Sequence, residues 1–297
     1  MRTFEATEAT LKDFISRAQF DEAIVLERDE NWPRVTVVTP SFNQGRYLEQ
    51  TILSVLNQNY PNLEFIIMDG GSTDNSLEII RKYGNYLTHW ESKHDDGQAA
   101  AIADGFRLAS GDVLAYLNSD DMYLPGALRK VGEFFKEHEL AQFMYGDCLI
   151  IDSQNKVIRR IYPIDFNRDI FLHDNAIIPQ QAAFWRRDLY LRVGEIDRTL
   201  RFCMDYELWM RFMLAGTALV RVKDVLAAFR WHGDSKTSRL QHILYEEYRS
   251  IFQEVTGRPL GRRNSLKILY LRLIRYCLEP RGLLEAIRTR LLGPKAM

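Results

Sequence analysis

The stretch VTVVTPSFNQGRYLEQTILSVLNQNYPNLEFIIMDGGSTDNS, Val35 to Ser76, decides the fold. Val35-Thr36-Val37-Val38-Thr39 is a β-branched run stopped by Pro40, the pattern of a buried strand. Arg46 to Asn57 carries Tyr47, Leu48, Ile52, Val55 and Leu56 at helical spacing. Leu63 to Met68 is a second apolar run, ended by Asp69-Gly70-Gly71. Asn75, with Glu78 three residues on, opens a helix to Tyr83 with a capping box.

The same rhythm continues. Tyr86 to Glu91 reads as a third strand, Gln98 to Ala109 as a third helix stopped by Ser110-Gly111, and Asp112 to Leu117 as a fourth strand. Strands alternating with short helices predict an α/β class with a mostly parallel sheet and helices on both faces. After Pro125 the alternation weakens. Helices are predicted over Gly126 to His138, Arg187 to Val193 and Asp205 to Leu214. Strands are predicted over Phe143 to Asp147, Gln181 to Trp185 and Ala218 to Val222, with a hairpin from Cys148 to Tyr162 around Asp152-Ser153-Gln154-Asn155. Residues 1–33 read as one or two short polar helices.

In AYLNSDDMYLP, Ala115 to Pro125, a buried strand runs into two adjacent carboxylates, Asp120 and Asp121. They repel each other and resist desolvation, so something must compensate them. In open parallel sheets ligands sit beyond the C-terminal strand ends. Four strand ends carry polar loops here: Thr39-Pro40-Ser41-Phe42-Asn43, Asp69-Gly70-Gly71-Ser72, His94-Asp95-Asp96-Gly97-Gln98 and Asn118-Ser119-Asp120-Asp121. Helix N-termini attract anions, yet carboxylates repel bare phosphate. A Mg²⁺ or Mn²⁺ ion between carboxylate and phosphate resolves the conflict, which points to a nucleoside diphosphate. A plain turn or helix cap is the competing reading of Asp120-Asp121. The Gly-x-Gly-x-x-Gly and Gly-x-x-x-x-Gly-Lys-Ser/Thr fingerprints are absent.

The bulk numbers narrow the class. The 297 residues are 46% apolar and 27% charged, as in a soluble globular protein. A net charge of −1 gives no electrostatic case for nucleic acid. Cys148, Cys203 and Cys277 are odd in number and lack metal-ligand spacing, which suits a cytoplasmic, reducing compartment. Neither a signal peptide nor a membrane span is expected. From Gly261 to Met297 nine Lys/Arg stand against two Glu, a balance of +7. Lys267 to Leu278 and Leu283 to Leu292 combine Leu/Ile faces with Arg, which fits basic amphipathic helices lying on an anionic membrane. A helical hairpin packed on the rest of the chain or on a homodimer partner fits equally.

The first stretch, HDDGQAAAIADGFRLASGDVLAYLNSDD and CMDYELWMRF, in that order and spacing, resemble family 2 glycosyltransferases of bacterial envelope and polysaccharide biosynthesis. The resemblance runs from about residue 35 to 235. It implies a GT-A fold, a Rossmann-like nucleotide-binding sheet with helices on both faces, and here a helical C-terminal extension. The implied division is an N-terminal extension over 1–33, a catalytic domain over 34–238 with donor half 34–125 and acceptor half 126–238, and a basic helical region over 239–297. By resemblance Thr39, Pro40, Ser41 and Asn43 line the nucleotide, Asp69 meets the base beside Gly70, and Asp96, Gly97 and Gln98 lie by the ribose and diphosphate. Asn118 and Ser119 fall in the donor-binding set, Asp120 matches the ribose or sugar contact, and Asp121 matches the metal ligand. Asn118 departs from the family's common Asp.

Asp205 falls at the position of the catalytic base, Met204 replacing the usual Glu. A helix N-cap is the alternative role for Asp205. Gln180-Gln181 resembles a pair near donor and acceptor, with a strand-edge cap as the other reading of Gln181. Arg230-Trp231-His232 resembles a late segment whose His approaches the metal, followed by a loop from Gly233 to Ser238 that closes over the donor. A buried structural histidine is the other reading of His232, and Trp185 and Trp209 read as core. The resemblance implies an inverting, Mn²⁺- or Mg²⁺-dependent transfer from a nucleoside-diphosphate sugar, UDP favoured, to a saccharide or lipid-linked acceptor, and with such acceptors a peripheral attachment of the basic helices to the cytoplasmic face of the inner membrane. A sugar nucleotidyltransferase and a non-catalytic scaffold are the competing readings.

Overall fold

The computed structural model describes residues 8–173, 178–233, 241–259 and 262–291. Among them one nine-stranded sheet is ordered β3-β2-β1-β4-β8-β6-β9-β5, with β7 paired to β6. The strands are β1 Val35–Ser41, β2 Leu63–Asp69, β3 His89–Ser92, β4 Val113–Tyr116, β5 Met122–Tyr123, β6 Phe143–Ile151, β7 Val157–Ile161, β8 Ala183–Arg186 and β9 Leu219–Arg230. β1 pairs in parallel with both β2 and β4, and β2 with β3. The second half adds antiparallel β8, β7 and β5, while β6 and β9 are parallel.

The helices of the first half are α1 Glu8–Phe14, α2 Glu22–Leu26, α3 Gly45–Leu56, α4 Ser76–Tyr83 and α5 Gln98–Leu108. They continue with α6 Ala127–Glu137, α7 Arg168–His173, α8 Arg187–Val193, α9 Met204–Leu214, α10 Gln241–Thr256, α11 Arg262–Leu278 and α12 Pro280–Leu291. Successive strand residues point to opposite faces, and the cores divide accordingly. Val35, Val37, Phe65 and Ile67 pack against α3, α4 and α6. Val38, Ile66, Met68 and Leu114 pack against α5, α8 and α9. Trp185 and Trp209 sit in this second layer as expected, both buried, with ring centroids 5.1 Å apart. Gly105 lets α5 lie directly on the sheet, since a Cβ there would overlap the Val38 side chain.

Several boundaries differ from the sequence reading. β1 runs through Pro40 to Ser41. Val38 accepts the last bond from β4, at Leu117 N–H, so Pro40 faces the edge where that pairing ends and its missing N–H costs nothing. The Asn75 side chain makes no cap hydrogen bond. Asp74 does this work instead, accepting from Ser76 N–H at 3.0 Å and from Gly45 N–H at 2.8 Å. β9 extends to Arg230, far beyond Val222, because β6 continues beside it to Ile151. β3 begins at His89, after a 3₁₀ turn over Gly84–Tyr86.

The C-terminal helices α11 and α12 pack on the rest of the chain through one face. Asp147 of β6, buried, pairs with Arg160 at 2.6 Å and Arg221 at 2.9 Å. Arg221 reaches Glu279 at 3.6 Å, and Glu279 binds Arg281 at 2.6 Å. Lys267 of α11 meets Asp169 of α7 at 3.1 Å. The expected donor-closing loop lies outside the described residues from Asp234 onward.

Candidate active site

The C-terminal ends of β1, β2 and β4 open into a cavity of about 500 Å³. Ten of the residues expected from the sequence line it: Pro40, Ser41, Gly70, Gly97, Gln98, Asn118, Ser119, Asp120, Gln181 and Asp205. Thr39, Asn43, Asp69, Asp96, Asp121 and His232 stand outside its lining. Of these, Asn43 takes a left-handed φ of 52° and pins two loops together, its N–H donating to Ser72 Oγ at 2.8 Å and its Oδ1 accepting from Thr73 N–H at 2.8 Å. Asp69 is buried and accepts from Ser72 N–H at 2.9 Å and Ser92 Oγ at 2.6 Å, so its carboxylate shapes the loop floor. Asp96 is exposed, and its neighbour Asp95 lines the cavity instead. Burial pushes the Asp95 carboxyl up, opposed by the hydrogen bond from Gly97 N–H at 2.8 Å.

The paired carboxylates divide the work. Asp120 faces the cavity, and His232 Nε2 lies 3.0 Å from its Oδ2. His232 itself is buried behind Asp120, its ring 4.8 Å from that of Tyr47. The sequence reading named Asp121 as the metal ligand, but Asp121 is fully buried and points into the protein. It accepts from Gln181 Nε2 at 3.0 Å, Asn118 Nδ2 at 3.1 Å and Arg230 N–H at 2.9 Å. Desolvation, then the adjacent Asp120 charge, raise its carboxyl well above the usual range, against these three donors.

Glu64, at the opposite end of the same sheet, makes the contrast. It is buried too, but Arg34 at 2.7 Å and donors from Thr36, Ser110 and Gly111 hold its pKa down against desolvation. Asp121, at the cavity end, has no cation at that distance among the described residues and is raised instead. The donor set there fits a hard divalent cation carried by a diphosphate: Asp120 supplies oxygen, with the His232 imidazole beside it. Among the described residues no three His, Cys, Asp or Glu side chains converge, so substrate oxygens would complete the shell.

Arg230 organises this corner. Its guanidinium is buried and donates to Asp120 O at 2.8 Å, Asn155 Oδ1 at 2.6 Å and Gln50 Oε1 at 2.9 Å, lying over Tyr47 at 4.8 Å. The hairpin turn at Asn155 and helix α3 are thereby tied to the carboxylate pair.

Asp205 stands in the first turn of α9, half-buried at the cavity wall. Burial lifts its pKa from 3.8 to about 6, opposed by hydrogen bonds that include Tyr206 N–H at 2.7 Å. It also lines a smaller adjoining pocket of about 230 Å³ walled by Ile178, Phe202, Cys203, Tyr206, Trp209 and Leu244. Glu247 of α10 fixes the approach to Asp205 by accepting from the N–H groups of Arg201, Phe202 and Cys203 at 2.7, 2.9 and 2.8 Å. Sequence reasoning missed Glu247, and also the cavity residues Phe42, Asp95 and Arg201. Phe42 and Asp95 sit inside loops already marked as polar strand ends, so their position was a usable signal. Glu247 had none, being contributed by a helix outside every motif.

A family model described as Glycosyl transferase family 2 matches residues 36–207. The chain belongs to glycosyl transferase family 2. It is 30% identical over 216 residues to the putative teichuronic acid biosynthesis glycosyltransferase TuaG of Bacillus subtilis, covering 70% of this chain and 83% of that one. Another family relative, a PGL/p-HBAD biosynthesis glycosyltransferase of Mycobacterium bovis, is 30% identical over 200 residues, 66% of this chain and 76% of that one. Among solved structures, S. aureus TarS 1-349 in complex with UDP-GlcNAc aligns with TM-score 0.63 and 19% identity, over 82% of this chain and 72% of that one. In another S. aureus TarS structure the match covers 43% of that chain. The mannosyltransferase PcManGT from Pyrobaculum calidifontis, in complex with GDP-Man and Mn²⁺, aligns with TM-score 0.56 and 18% identity over 96% of this chain and 82% of that one. The architecture of this glycosyltransferase is the GT-A fold.

Proposed function

We propose that this family 2 enzyme moves a sugar from a UDP-sugar to a hydroxyl of a saccharide or lipid-linked saccharide, with inversion and with a divalent cation. The observation that carries the reading is the shared wall: Asp120 and Asp205 line one cavity, and Asp205 alone of the two also lines the adjoining pocket. A leaving diphosphate needs charge stabilisation, and the acceptor hydroxyl must lose a proton on the other side of the anomeric carbon. The two carboxylates suit these two tasks. UDP is favoured because TarS, of the same fold, binds UDP-GlcNAc and UDP. The cation is supported by the Asp120 donor set and by the Mn²⁺ of PcManGT.

In this mechanism Pro40, Ser41, Gly70, Gly97 and Gln98 would hold the nucleotide, with Phe42, 60% exposed, available to cover the base. Asp120 would hold the cation beside the diphosphate, with His232 fixing its Oδ2. When bound, the cation supplies Lewis-acid stabilisation of the leaving diphosphate. Asp121 would act through Gln181 and Asn118, orienting their amides at the cavity wall. Asp205 takes the proton from an acceptor hydroxyl entering through the smaller pocket, and inversion follows from one base and direct displacement. Residues 34–125 thus form the donor half and 126–238 the acceptor half. Three unpaired cysteines support a reducing, cytoplasmic setting.

The test is release of nucleoside diphosphate from a panel of UDP-, GDP- and dTDP-sugars with Mn²⁺, in wild type and Asp205→Asn. Turnover of one donor class by wild type and its loss in the variant support the reading. A wild-type protein that binds a nucleotide sugar and turns over none points to a non-catalytic scaffold.

A further inference from the structure

Helix α11 has two faces of opposite kind. Leu271 is buried against the domain, with Ile268 and Ile274 half-buried beside it. On the other side Leu266, Leu269, Tyr270 and Leu273 follow one another at i, i+3, i+4 and i+7, with exposures of 77, 66, 62 and 62%. That spacing makes a continuous outward ridge. Leu284 and Ile287 extend the exposed apolar surface onto α12. Isolated exposed leucines are ordinary, but a contiguous ridge marks an interaction surface.

The ridge is held in place. Lys267, half exposed, bridges α11 to Asp169 of α7, and Glu279, between α11 and α12, meets Arg221 of β9 and Arg281 of α12. It is not a face waiting to fold back on its own domain. Exposed Lys267 and Arg272 border it, within the stretch 261–297 whose balance is +7. Among the described residues no helix is long and apolar enough to cross a membrane.

We propose that this ridge docks on a bilayer surface rich in anionic headgroups, the leucines entering the headgroup–acyl boundary and the flanking cations meeting lipid phosphates. An apolar strip bordered by Lys and Arg matches that boundary on both counts. A second copy is the poorer occupant, because a two-fold interface sets like surface on like and would bring +7 against +7. The docking is independent of the sugar-transfer reading.

Cys277 gives the probe, since it is exposed on this side of α11 while Cys148 and Cys203 are buried. The full chain, labelled at Cys277 with an environment-sensitive fluorophore, is titrated with mixed phosphatidylglycerol–phosphatidylcholine vesicles and with pure phosphatidylcholine vesicles. We expect a blue shift and co-sedimentation with the mixed vesicles, at least about tenfold weaker on the pure ones and at high salt. The pair Leu269→Ser with Leu273→Ser should weaken binding by about tenfold or more with an unchanged melting temperature, both positions being exposed. Absence of binding to either vesicle, or equal binding by the double variant, overturns the proposal. So does a concentration-dependent dimer, seen by light scattering, that the double variant abolishes. Nucleoside diphosphate release without vesicles, measured alongside, reports separately on the catalytic reading.

Discussion

His232 Nε2 lies 3.0 Å from Asp120 Oδ2, joining two residues 112 positions apart in sequence at the cavity wall. The neighbouring Asp121 is turned away and saturated by Asn118, Gln181 and Arg230 N–H. The carboxylates of one dipeptide therefore have separable roles, and substitutions should separate them.

Asp120→Ala should weaken Mn²⁺-dependent nucleotide binding by about tenfold or more while leaving the fold intact, because this carboxylate would touch the cation. Asp121→Ala should act mainly on stability. It orphans three donors at about 1–3 kcal/mol each when they stay buried, which is several degrees of Tm in a domain of this size. Calorimetric binding and thermal melting of both variants check the pair. Equal loss of Tm in both would refute the division.

Asp205 should set the acid limb of activity. Its carboxyl is raised from 3.8 to about 6 by burial, so the base form is lost as pH falls through about 6. kcat at saturating donor should therefore fall below that pH, and Asp205→Asn should lower kcat by at least about a hundredfold with donor affinity retained. The stability sign runs opposite to that of an ion-paired carboxylate. With the folded pKa above the unfolded one, the native state binds more protons between the two values and stability falls as pH rises through that window. Asp205→Asn should then melt no lower than wild type at pH 7. A marked loss of Tm would show that Asp205 acts as a structural cap.

Glu247→Ala should reduce kcat without changing nucleotide affinity. It removes the acceptor of three N–H groups that lead into Asp205. Glu247→Gln keeps one carbonyl acceptor and should recover part of the activity. A variant that loses donor binding and kcat together would indicate general unfolding of the loop.

Gly105→Ala should destabilise the protein by about 1–3 kcal/mol, as overpacking does, since the added methyl overlaps Val38 beneath α5. An unchanged melting temperature would mean that α5 can lift from the sheet at no cost.

The first half of the fold was legible because β1, β2 and β4 are buried on both faces and read as continuous apolar runs, while the helices between them show helical spacing. The second half was harder. β9 reads as a short strand to Val222, because its later residues owe their extended form to β6 alongside, a partner far away in sequence. The same limit applies to the site. Asp120, Gln181 and Asp205 carry motif signals and do meet in one cavity. Which carboxylate of Asp120-Asp121 faces that cavity depends on backbone direction at a tight turn, where Asp121 N–H bonds back to Asn118 O at 3.1 Å. Residue types and spacing hold no record of that direction.

The most direct test of the account is calorimetric titration of UDP into the wild-type protein, first with Mn²⁺ and then with EDTA, repeated with Asp120→Ala. UDP binding should require Mn²⁺ and weaken at least about tenfold in the variant. UDP binding of equal strength with Mn²⁺, with EDTA and in Asp120→Ala would contradict it.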